Sequence, residues 1–598
     1  MQEKLDTLAH VVAGKGVDLM ETKKMCYLKR KNLISILVVS FFCAITLAWT
    51  CWAATYYVRP DGGNGDQCTG LTDAPYPGSG IQKPCAWAHP FWSLDSSGNW
   101  KILGGDTVMI YPGSYRLGID RQSTPGIETP NTDWCNTNWP WDCHLPPLPS
   151  GPDPDHPTRI LGVGWDQGCP NPPELWGSER PWQLISLDGT SHVVIECLRL
   201  TDHSGCVEFH ANAEVRCERD AYPYGDWASA GIYAADSSNV TLKNLNIHGF
   251  ASAGIRAGRI ADWAVENVRI AGNGWVGWEG DIDGEDINSG TLAFKNWLVE
   301  WNGCAETYPA QHPNNCWAQS AGGYGDGVGT GATGGHWMIE DAIFRYNTSD
   351  GLDLLYARFP DSRIEIRRTK AYGNAGNQIK VNGPTLIENS LILGNCGFFD
   401  GKPFTYNVDN CRAGGTALAL TLREGVSVSV INSTIGGEGD CLCIIECNDS
   451  SCNGSETIII QNNIFRGYRD FLEPSDTACY LWFDRPPDNK DFYTTQIDYN
   501  IVFGAKIGEW ELSANEFVLD PLVMNDHLEA FDGRLRPGSP AINSGLPVAS
   551  LGGLVPNHDI EGIPRPRGKR VDRGAYEYGI PFIPWTLLLS GNKHEFTP

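Results

Sequence analysis

A short apolar segment recurs along the chain from residue 192 onwards, and this recurrence is the strongest constraint on the fold. Each copy alternates apolar and polar residues, which is the pattern of a half-buried β-strand. The fifth position is Asn or Asp in all copies but one, and Asn is a residue that favours tight turns. These fifth positions are Asn244, Asn267, Asn296, Asp341, Arg368, Asn389, Asn432 and Asn462.

The spacing of the copies indicates the architecture. Successive fifth positions are 23, 29, 45, 27, 21, 43 and 30 residues apart. A period of roughly 20–50 residues is typical of repeat proteins, and no copy shows the 3.6-residue period of a helical solenoid. We therefore predict an all-β fold, a parallel β-helix in which each coil adds strands to stacked parallel sheets. The six recurring Asn side chains should form one column at a shared turn.

The repeated segment resembles the right-handed parallel β-helix proteins of the pectin-lyase-like superfamily from residue 192 to about residue 508. The resemblance implies a right-handed β-solenoid but no particular activity, because lyases, hydrolases, epimerases and adhesins share this scaffold. Residues 535–578 are similar to a module that follows β-helices in many bacterial surface and secreted proteins. Such a module would cap the open end of the solenoid, where the last strands are unpaired.

These features divide the chain into five predicted regions. They are a signal peptide (1–54), an N-terminal cap with a long decorated loop (55–190), the parallel β-helix (191–510), a C-terminal capping module (511–580) and a tail (581–598).

The N-terminus has the pattern of a secretory signal. Three basic residues, Lys29 to Lys31, precede an apolar run from residue 33 to 52, and Ala53-Ala54 follows. Met25 is a plausible true start. A retained membrane anchor is the competing interpretation, because the run is just long enough to span a bilayer. We favour cleavage, since a strand begins at Tyr56, and therefore predict a secreted or cell-surface protein without a stable transmembrane anchor.

The cysteines agree with export. Removing the three in the predicted signal region from the total of 20 leaves 17, so at least one thiol should stay unpaired. Close pairs in an exported chain are typical of disulfides that staple loops. The close pairs are Cys135/Cys143, Cys206/Cys217, Cys304/Cys316 and Cys396/Cys411, and a tighter group comprises Cys441, Cys443, Cys447 and Cys452.

The charge excludes one class of partner. Asp and Glu number 71 against 45 Lys and Arg, which gives a net charge of −26. Nucleic-acid binding needs a basic face, so we do not expect a nucleic-acid partner. An acidic surface also keeps secreted proteins soluble. A polysaccharide or other glycan, neutral or bridged by a cation, is easier to accommodate.

Residues 325–383 concentrate candidate functional side chains on short predicted strands. Asp326, Asp350 and Asp353 are carboxylates, and Lys380 is a lysine one predicted coil further on. Carboxylates with a single lysine suggest a cation site with a base beside it. The other interpretation is that the aspartates are turn residues and the lysine is solvated.

The same stretch resembles family-nine pectate lyases. In that family an Asp-Gly on one coil and an Asp-Asp-Gly-x-Asp on the next hold calcium, and a lysine on a later strand is the base. The resemblance implies that Asp326, Asp350 and Asp353 are Ca²⁺ ligands and that Lys380 is the catalytic base. Ser349 stands where the family has the first Asp of the pair, which removes one of four carboxylates and predicts weaker calcium binding.

The chemistry explains why these residue types belong together. β-Elimination from a uronate removes the proton at C5, next to a carboxylate. Ca²⁺ prefers oxygen ligands and acts as a Lewis acid on that carboxylate. A base must be neutral to accept the proton, and a nearby cation lowers the pKa of a lysine.

Three functions stay open from the sequence. The first is a calcium-dependent polysaccharide lyase acting on a pectate-like uronate polymer, the second is a non-catalytic adhesin or glycan-binding protein, and the third is a glycoside hydrolase. A second acidic group, formed by Asp281, Asp283, Glu285 and Asp286, is the candidate acid–base cluster for a hydrolase. It is also consistent with another calcium loop or with a solvated turn.

Overall fold

The computed structural model describes residues 53–119, 129–135, 140–177, 179–217, 227–285, 287–318, 325–447, 451–484, 492–508, 511–547 and 555–579. The predicted signal peptide, except for its last two residues, and the predicted tail lie outside these residues.

Three parallel faces of β-strands enclose the core. Faces A and B form one 21-stranded sheet. Four long strands run through both faces: Ser191–Asp202, Ser238–His248, Ala261–Ala271 and Ser289–Glu300. The other strands of face A are Thr55–Gly63, Thr107–Ile110, Thr158–Gly162, His336–Glu340, Arg363–Arg367, Thr385–Glu388, Ser427–Ile431, Thr457–Gln461 and Thr494–Asp498. The other strands of face B are Ser114–Leu117, Glu174–Gly177, Ile343–Arg345, Lys370–Tyr372, Leu391–Gly394, Thr434–Gly437, Ile464–Gly467 and Ile501–Phe503.

Face C is a separate ten-stranded parallel sheet. Its strands are Gln183–Ser186, Ala230–Ala235, Ala253–Gly258, Val276–Glu285, Val328–Ala332, Leu352–Leu354, Ile379–Asn382, Leu418–Leu422, Cys441–Cys447 and Cys479–Asp484. From Thr158 to Asp484 the chain passes from face A to face B to face C in each coil, so the predicted all-β parallel β-helix is confirmed. Parallel pairing already begins at Thr55, whose strand pairs with Thr107–Ile110, upstream of the boundary at residue 191.

Smaller elements decorate the coils. The short strands are Val207–Glu208, Arg216–Cys217, Ala305–Thr307, His312–Asn314, Cys316–Trp317, Thr405–Asn407, Val523–Asn525 and Asp532–Leu535. The 3-10 turns are Pro90–Ser93, Pro140–Asp142, Trp165–Gln167, Arg412–Gly415 and Leu528–Ala530.

The recurring fifth positions form one column at the corner between faces A and B, as predicted. Strand register places Asn244 beside Asn267, and the other members follow in order. Every member has a positive φ, from 48° at Arg368 to 60° at Asn462, which is the left-handed conformation that Asn tolerates well. The Asn267 amide donates to Asn244 Oδ1 at 3.1 Å, and the Asn296 amide donates to Asn267 Oδ1 at 2.9 Å. The local sequence thus fixes the corner of the solenoid.

The cysteine predictions are confirmed for the four close pairs, which are all disulfide-bonded. Cys441 pairs instead with Cys479 on the adjacent strand of face C, and Cys447 pairs with Cys452. The remaining bridges are Cys68–Cys85 and Cys169–Cys197. Cys443 is the buried free thiol among the described cysteines. Many disulfides are consistent with an extracellular location.

The C-terminal segment packs against the side of the last coils as well as against the last strand. Phe517 pairs with Ile501 at the end of the solenoid. Further along, the Asn432 amide donates to Asp572 O at 2.9 Å, and Leu546 N donates to Asn462 Oδ1 at 2.7 Å. The segment therefore covers the asparagine corner at Asn432 and Asn462. No helix among the described residues is long and apolar enough to cross a membrane.

Candidate functional site

The four candidate residues lie on three successive coils at face C. Asp353 and Lys380 are direct neighbours on paired strands, and Gly329 lies opposite Asp353 on the other side. Asp326 and Asp350 lie just before the strands that begin at Val328 and Leu352. Neighbouring strands are about 4.8 Å apart, so residues one coil apart in the sequence meet in space.

A buried ladder of amides holds the turns that lead into these strands. The Asn273 amide donates to Asn302 Oδ1 at 2.9 Å, and the Asn302 amide donates to Asn347 Oδ1 at 2.8 Å. The Asn347 amide continues to Asn374 Oδ1 at 2.8 Å, and the Asn374 amide donates to Gln378 Oε1 at 2.8 Å. Each of these side chains hydrogen-bonds the next one along the solenoid, so buried polar groups are paired from coil to coil. This network fixes the path of the chain at the site.

Lys380 is the centre of the site. Its Nζ donates to Asp350 Oδ2 at 2.9 Å and to Asp353 Oδ2 at 2.7 Å. Its side chain is 22% exposed, against 10% for Asp350 and 15% for Asp353. The lysine therefore forms ion pairs with two carboxylates in a mostly desolvated position.

Asp326 completes the cluster from the preceding coil. Its Oδ1 accepts a hydrogen bond from Asp350 N at 2.9 Å, while Asp350 Oδ1 accepts one from Asn377 N at 2.6 Å. A Cβ at Gly376 would lie 2.2 Å from Asp350 Oδ1, and one at Gly329 would lie 3.1 Å from Asp326 Oδ2. The two glycines therefore leave room for the carboxylates.

The electrostatics of the cluster favour an added positive charge. Burial raises the pKa of Asp326 well above its ordinary value, and the Asp350 and Asp353 carboxylates add to the rise. Burial also raises the pKa of Asp353, although the Lys380 ammonium opposes this. Burial disfavours the charged form of Lys380, but the two adjacent carboxylates outweigh burial and raise its pKa. The lysine is thus held as a cation in this arrangement.

The carboxylates fit a divalent oxygen-binding cation. Asp326, Asp350 and Asp353 each offer an oxygen within 4.8 Å of the others. Two oxygens that bind one Ca²⁺ at about 2.3–2.6 Å lie at most about 5 Å apart, so the spacing is compatible. Asn377, whose backbone N–H donates to Asp350 Oδ1, has a buried Oδ1 with no hydrogen-bond partner among the described residues. Three carboxylates suit calcium better than a softer metal.

Ser349, which replaces an expected carboxylate, has a different partner. Its hydroxyl is buried and accepts a hydrogen bond from Arg412 Nη1 at 3.0 Å. Arg412 was not among the predicted site residues. It arrives on a loop closed by the Cys396–Cys411 disulfide, outside the repeated strands.

An aromatic group contacts the turn that precedes Asp350. The Thr348 hydroxyl donates to Trp317 O at 2.9 Å, and the Trp317 strand pairs with Thr405–Asn407. The His210 ring lies 4.9 Å from the Trp317 ring and 5.4 Å from the Tyr406 ring. Tyr406 is 48% exposed. An exposed ring of this kind offers an apolar surface with a polar tip.

Asp281, the described acidic side chain of the second group, is not among the carboxylates close enough to share a metal with this cluster. Asp281 is exposed, and its N–H donates to Glu279 Oε1 at 3.0 Å. The side chains of Asp283 and Glu285, and the whole of Asp286, lie outside the described residues. Among the described residues, the group of carboxylates close enough to hold a metal is Asp326, Asp350 and Asp353.

Comparisons with known proteins give distant structural similarity. No protein-family model matches the chain, and no curated protein matches it. Pectate lyase Pel9A is 14% identical, with 88% of this chain and 96% of that chain covered and a TM-score of 0.38. The xylose complex of XylC is 10% identical, with 87% and 98% covered and a TM-score of 0.38. The surface adhesin PfbA of Streptococcus pneumoniae is 11% identical, with 68% and 80% covered and a TM-score of 0.29. These similarities assign no activity to the chain.

Proposed function

We propose that the protein is a secreted polysaccharide lyase that cleaves a uronate polymer by β-elimination with the help of Ca²⁺. The observation that carries the proposal is the position of Lys380 Nζ on face C, 2.9 Å from Asp350 and 2.7 Å from Asp353. A lysine and three carboxylates at one place supply both a base and a cation site.

In this proposal Asp326, Asp350 and Asp353 hold the calcium ion. When bound, the ion would act as a Lewis acid on the substrate carboxylate. Lys380 takes the C5 proton on its Nζ, the C–H electron pair forms the C4–C5 double bond, and the C4–O bond breaks. The departing oxygen takes a proton from water. Lys380 must first lose its own proton, and this requires that its ion pairs with Asp350 and Asp353 be released.

A screen of acidic polysaccharides tests the proposal. Pectate, polyguluronate, polymannuronate and a neutral xylan are incubated with the protein, with added calcium or with a chelator. We expect an unsaturated, ultraviolet-absorbing product from at least one uronate polymer, and its loss in chelator. Binding of these polymers without any product would support the adhesin alternative and contradict the proposal.

A glycoside hydrolase is the second candidate. The raised pKa of Asp326, caused first by burial and then by Asp350 and Asp353, would suit a general acid. A hydrolase releases reducing sugar without the unsaturated product, so the same screen separates the two activities. Chelator should leave hydrolysis unchanged, because acid–base hydrolysis by two carboxyl groups needs no metal.

A further inference from the structure

Arg412 carries hydrogen-bonding capacity that the protein leaves largely unused. A guanidinium has five N–H donors, and Nη1 donates to the Ser349 hydroxyl at 3.0 Å. Within the described part of the chain, Arg412 forms no ion pair with a carboxylate. An arginine that is half-buried next to a carboxylate cluster, yet paired only with a neutral hydroxyl, has its charge available for an external anion.

The position of Arg412 is fixed by its surroundings. Cys411 precedes it, is bridged to Cys396 and has the left-handed conformation with φ of 58°. Arg412 N donates to Ala375 O at 3.1 Å. Ala375 is two residues from Asn377, whose N–H binds Asp350. The guanidinium is therefore held to the same turn as the carboxylate cluster, with little freedom in its backbone.

Ser349 keeps this arginine available. A carboxylate at residue 349 would form an ion pair with Arg412, because Ser349 Oγ already lies within hydrogen-bond distance of Nη1. A hydroxyl fixes the side chain without neutralising it. Arginine is also the side chain best suited to bind a carboxylate with two parallel hydrogen bonds.

We propose that Arg412 is a substrate-binding residue that binds the carboxylate of an acidic sugar in the polysaccharide. The inference rests on the proposed function for its ligand class, a uronate, but concerns binding and not the elimination step. Ser349 and Arg412 then act together. Because residue 349 is a serine and not an aspartate, the positive charge of Arg412 is available to the substrate carboxylate.

Binding of short uronates to the full chain tests this inference. Trimers of galacturonate, guluronate and mannuronate, and their methyl esters, are titrated calorimetrically in chelator and in calcium. The comparison uses the condition that gives the tighter wild-type binding. We expect Arg412→Gln to weaken binding of the preferred trimer about 10- to 100-fold, as for loss of a charged hydrogen-bonded pair. Binding of the methyl ester should change less than about threefold, because it lacks the charge.

Further variants separate this role from a structural one. Arg412→Lys keeps the charge but not the planar fork, so it should recover part of the affinity. Ser349→Asp should weaken trimer binding, because the new carboxylate would compete for the guanidinium. Arg358→Gln, which removes an exposed arginine, is the charge-matched control and should bind as the wild type. Thermal unfolding of each variant checks that it is folded.

The outcomes separate this inference from the proposed function. Trimer binding that depends on Arg412 without any turnover would refute the lyase and support the inference. Turnover together with unchanged trimer binding by Arg412→Gln would overturn the inference alone. An equal loss of methyl-ester binding, or no binding of any trimer by the wild type in either condition, would also overturn it.

Discussion

Asp353 and Lys380 occupy paired positions on adjacent parallel strands, and the Lys380 ammonium lies 2.7 Å from Asp353 Oδ2. Asp350, just before the strand that carries Asp353, lies 2.9 Å from the same ammonium. In this state Lys380 is the counterion of the two carboxylates. Burial alone would lower the pKa of Lys380, but the Asp350 and Asp353 carboxylates outweigh burial and raise it. A cation that binds the carboxylates must therefore compete with the ammonium, and this links cation binding to the protonation of the base.

The first prediction concerns the calcium requirement. Asp350→Ala should raise the calcium concentration for half-maximal activity at least about tenfold. Loss of a residue that only supports a metal ligand already weakens metal binding by about 10- to 100-fold. The measurement is the initial rate of product formation as a function of free calcium. Asp188→Ala, which removes an exposed carboxylate remote in sequence, is the control. An unchanged calcium dependence in Asp350→Ala would exclude this residue as a ligand.

The second prediction concerns the asparagine corner. Asn432 and Asn267 share the left-handed conformation, with φ of 49° and 55°, but Asn432 is buried and Asn267 is exposed. Alanine at either position lacks the side-chain hydrogen bonding that lets Asn tolerate this conformation, which otherwise costs an L-residue about 1–2 kcal/mol. Asn432→Ala also removes the buried hydrogen bond to Asp572 O, which keeps its other donor, Arg565 Nη1 at 3.1 Å. The variant should therefore lose a further 0.5–1.5 kcal/mol or so of unfolding free energy.

Denaturant unfolding of the two alanine variants and the matching glycine variants measures this difference. Asn432→Gly and Asn267→Gly should be more stable than their alanine counterparts, because glycine adopts a positive φ readily. Equal stability of Asn432→Ala and Asn267→Ala would contradict the role assigned to the buried amide.

The third prediction concerns acid stability through Glu174. Burial would raise its pKa, but hydrogen bonds from His203 and Ser114 prevail and lower the pKa from 4.5 to about 2. A lowered folded-state pKa stabilises the protein above the unfolded-state value, and the stabilisation is lost as the pH falls from about 4.5 towards 2. The lowered pKa of Glu174 contributes at most about 3 kcal/mol to the free energy of unfolding.

Unfolding free energies of the wild type and Glu174→Gln across this pH range provide the test. The variant should be less stable at neutral pH, and its deficit should shrink as the pH falls below about 4.5. Asp188→Asn serves as the exposed control. A deficit that stays constant down to pH of about 2 would show that the carboxylate charge of Glu174 does not stabilise the fold.

The fourth prediction concerns the unpaired thiol. Cys443 is buried, and burial raises the pKa of its thiol, so it should not react in the native protein. Unfolding the mature chain without reductant should expose one reactive thiol per chain, and Cys443→Ala should expose none. Several reactive thiols in the unfolded wild type would contradict both the disulfide pattern and the predicted export.

The sequence predicted the corner and the four-residue cluster because both depend on the coil repeat. Asn267 and Asn296 are one coil apart, and so are Asp353 and Lys380, which makes their meeting a consequence of spacing. The inner amide ladder follows the same rule: Asn273, Asn302, Asn347 and Asn374 are 29, 45 and 27 residues apart, as are the corner positions beside them. This ladder was therefore accessible from the sequence but was not predicted.

Other features could not follow from spacing. Arg412 lies on a loop whose path is set by the Cys396–Cys411 disulfide and by contacts with Ala375, so no repeat relates it to Ser349. Cys441 pairs with Cys479 across adjacent strands of face C, a partner 38 residues away outside the close group of cysteines. The charge state of Lys380 depends on how closely two carboxylates approach it, which is a property of the packed structure.

The most direct test of the proposed function is the turnover of the preferred uronate polymer by Lys380→Ala at saturating calcium. A general base contributes about 10²–10⁴-fold, so kcat should fall by at least about 100-fold while substrate binding changes little. Lys295→Ala, which removes an exposed lysine of face A, is the matched control and should retain wild-type turnover. Loss of the unsaturated product in Lys380→Ala alone is the result that we predict, and full lyase activity in Lys380→Ala would contradict the assignment of the base.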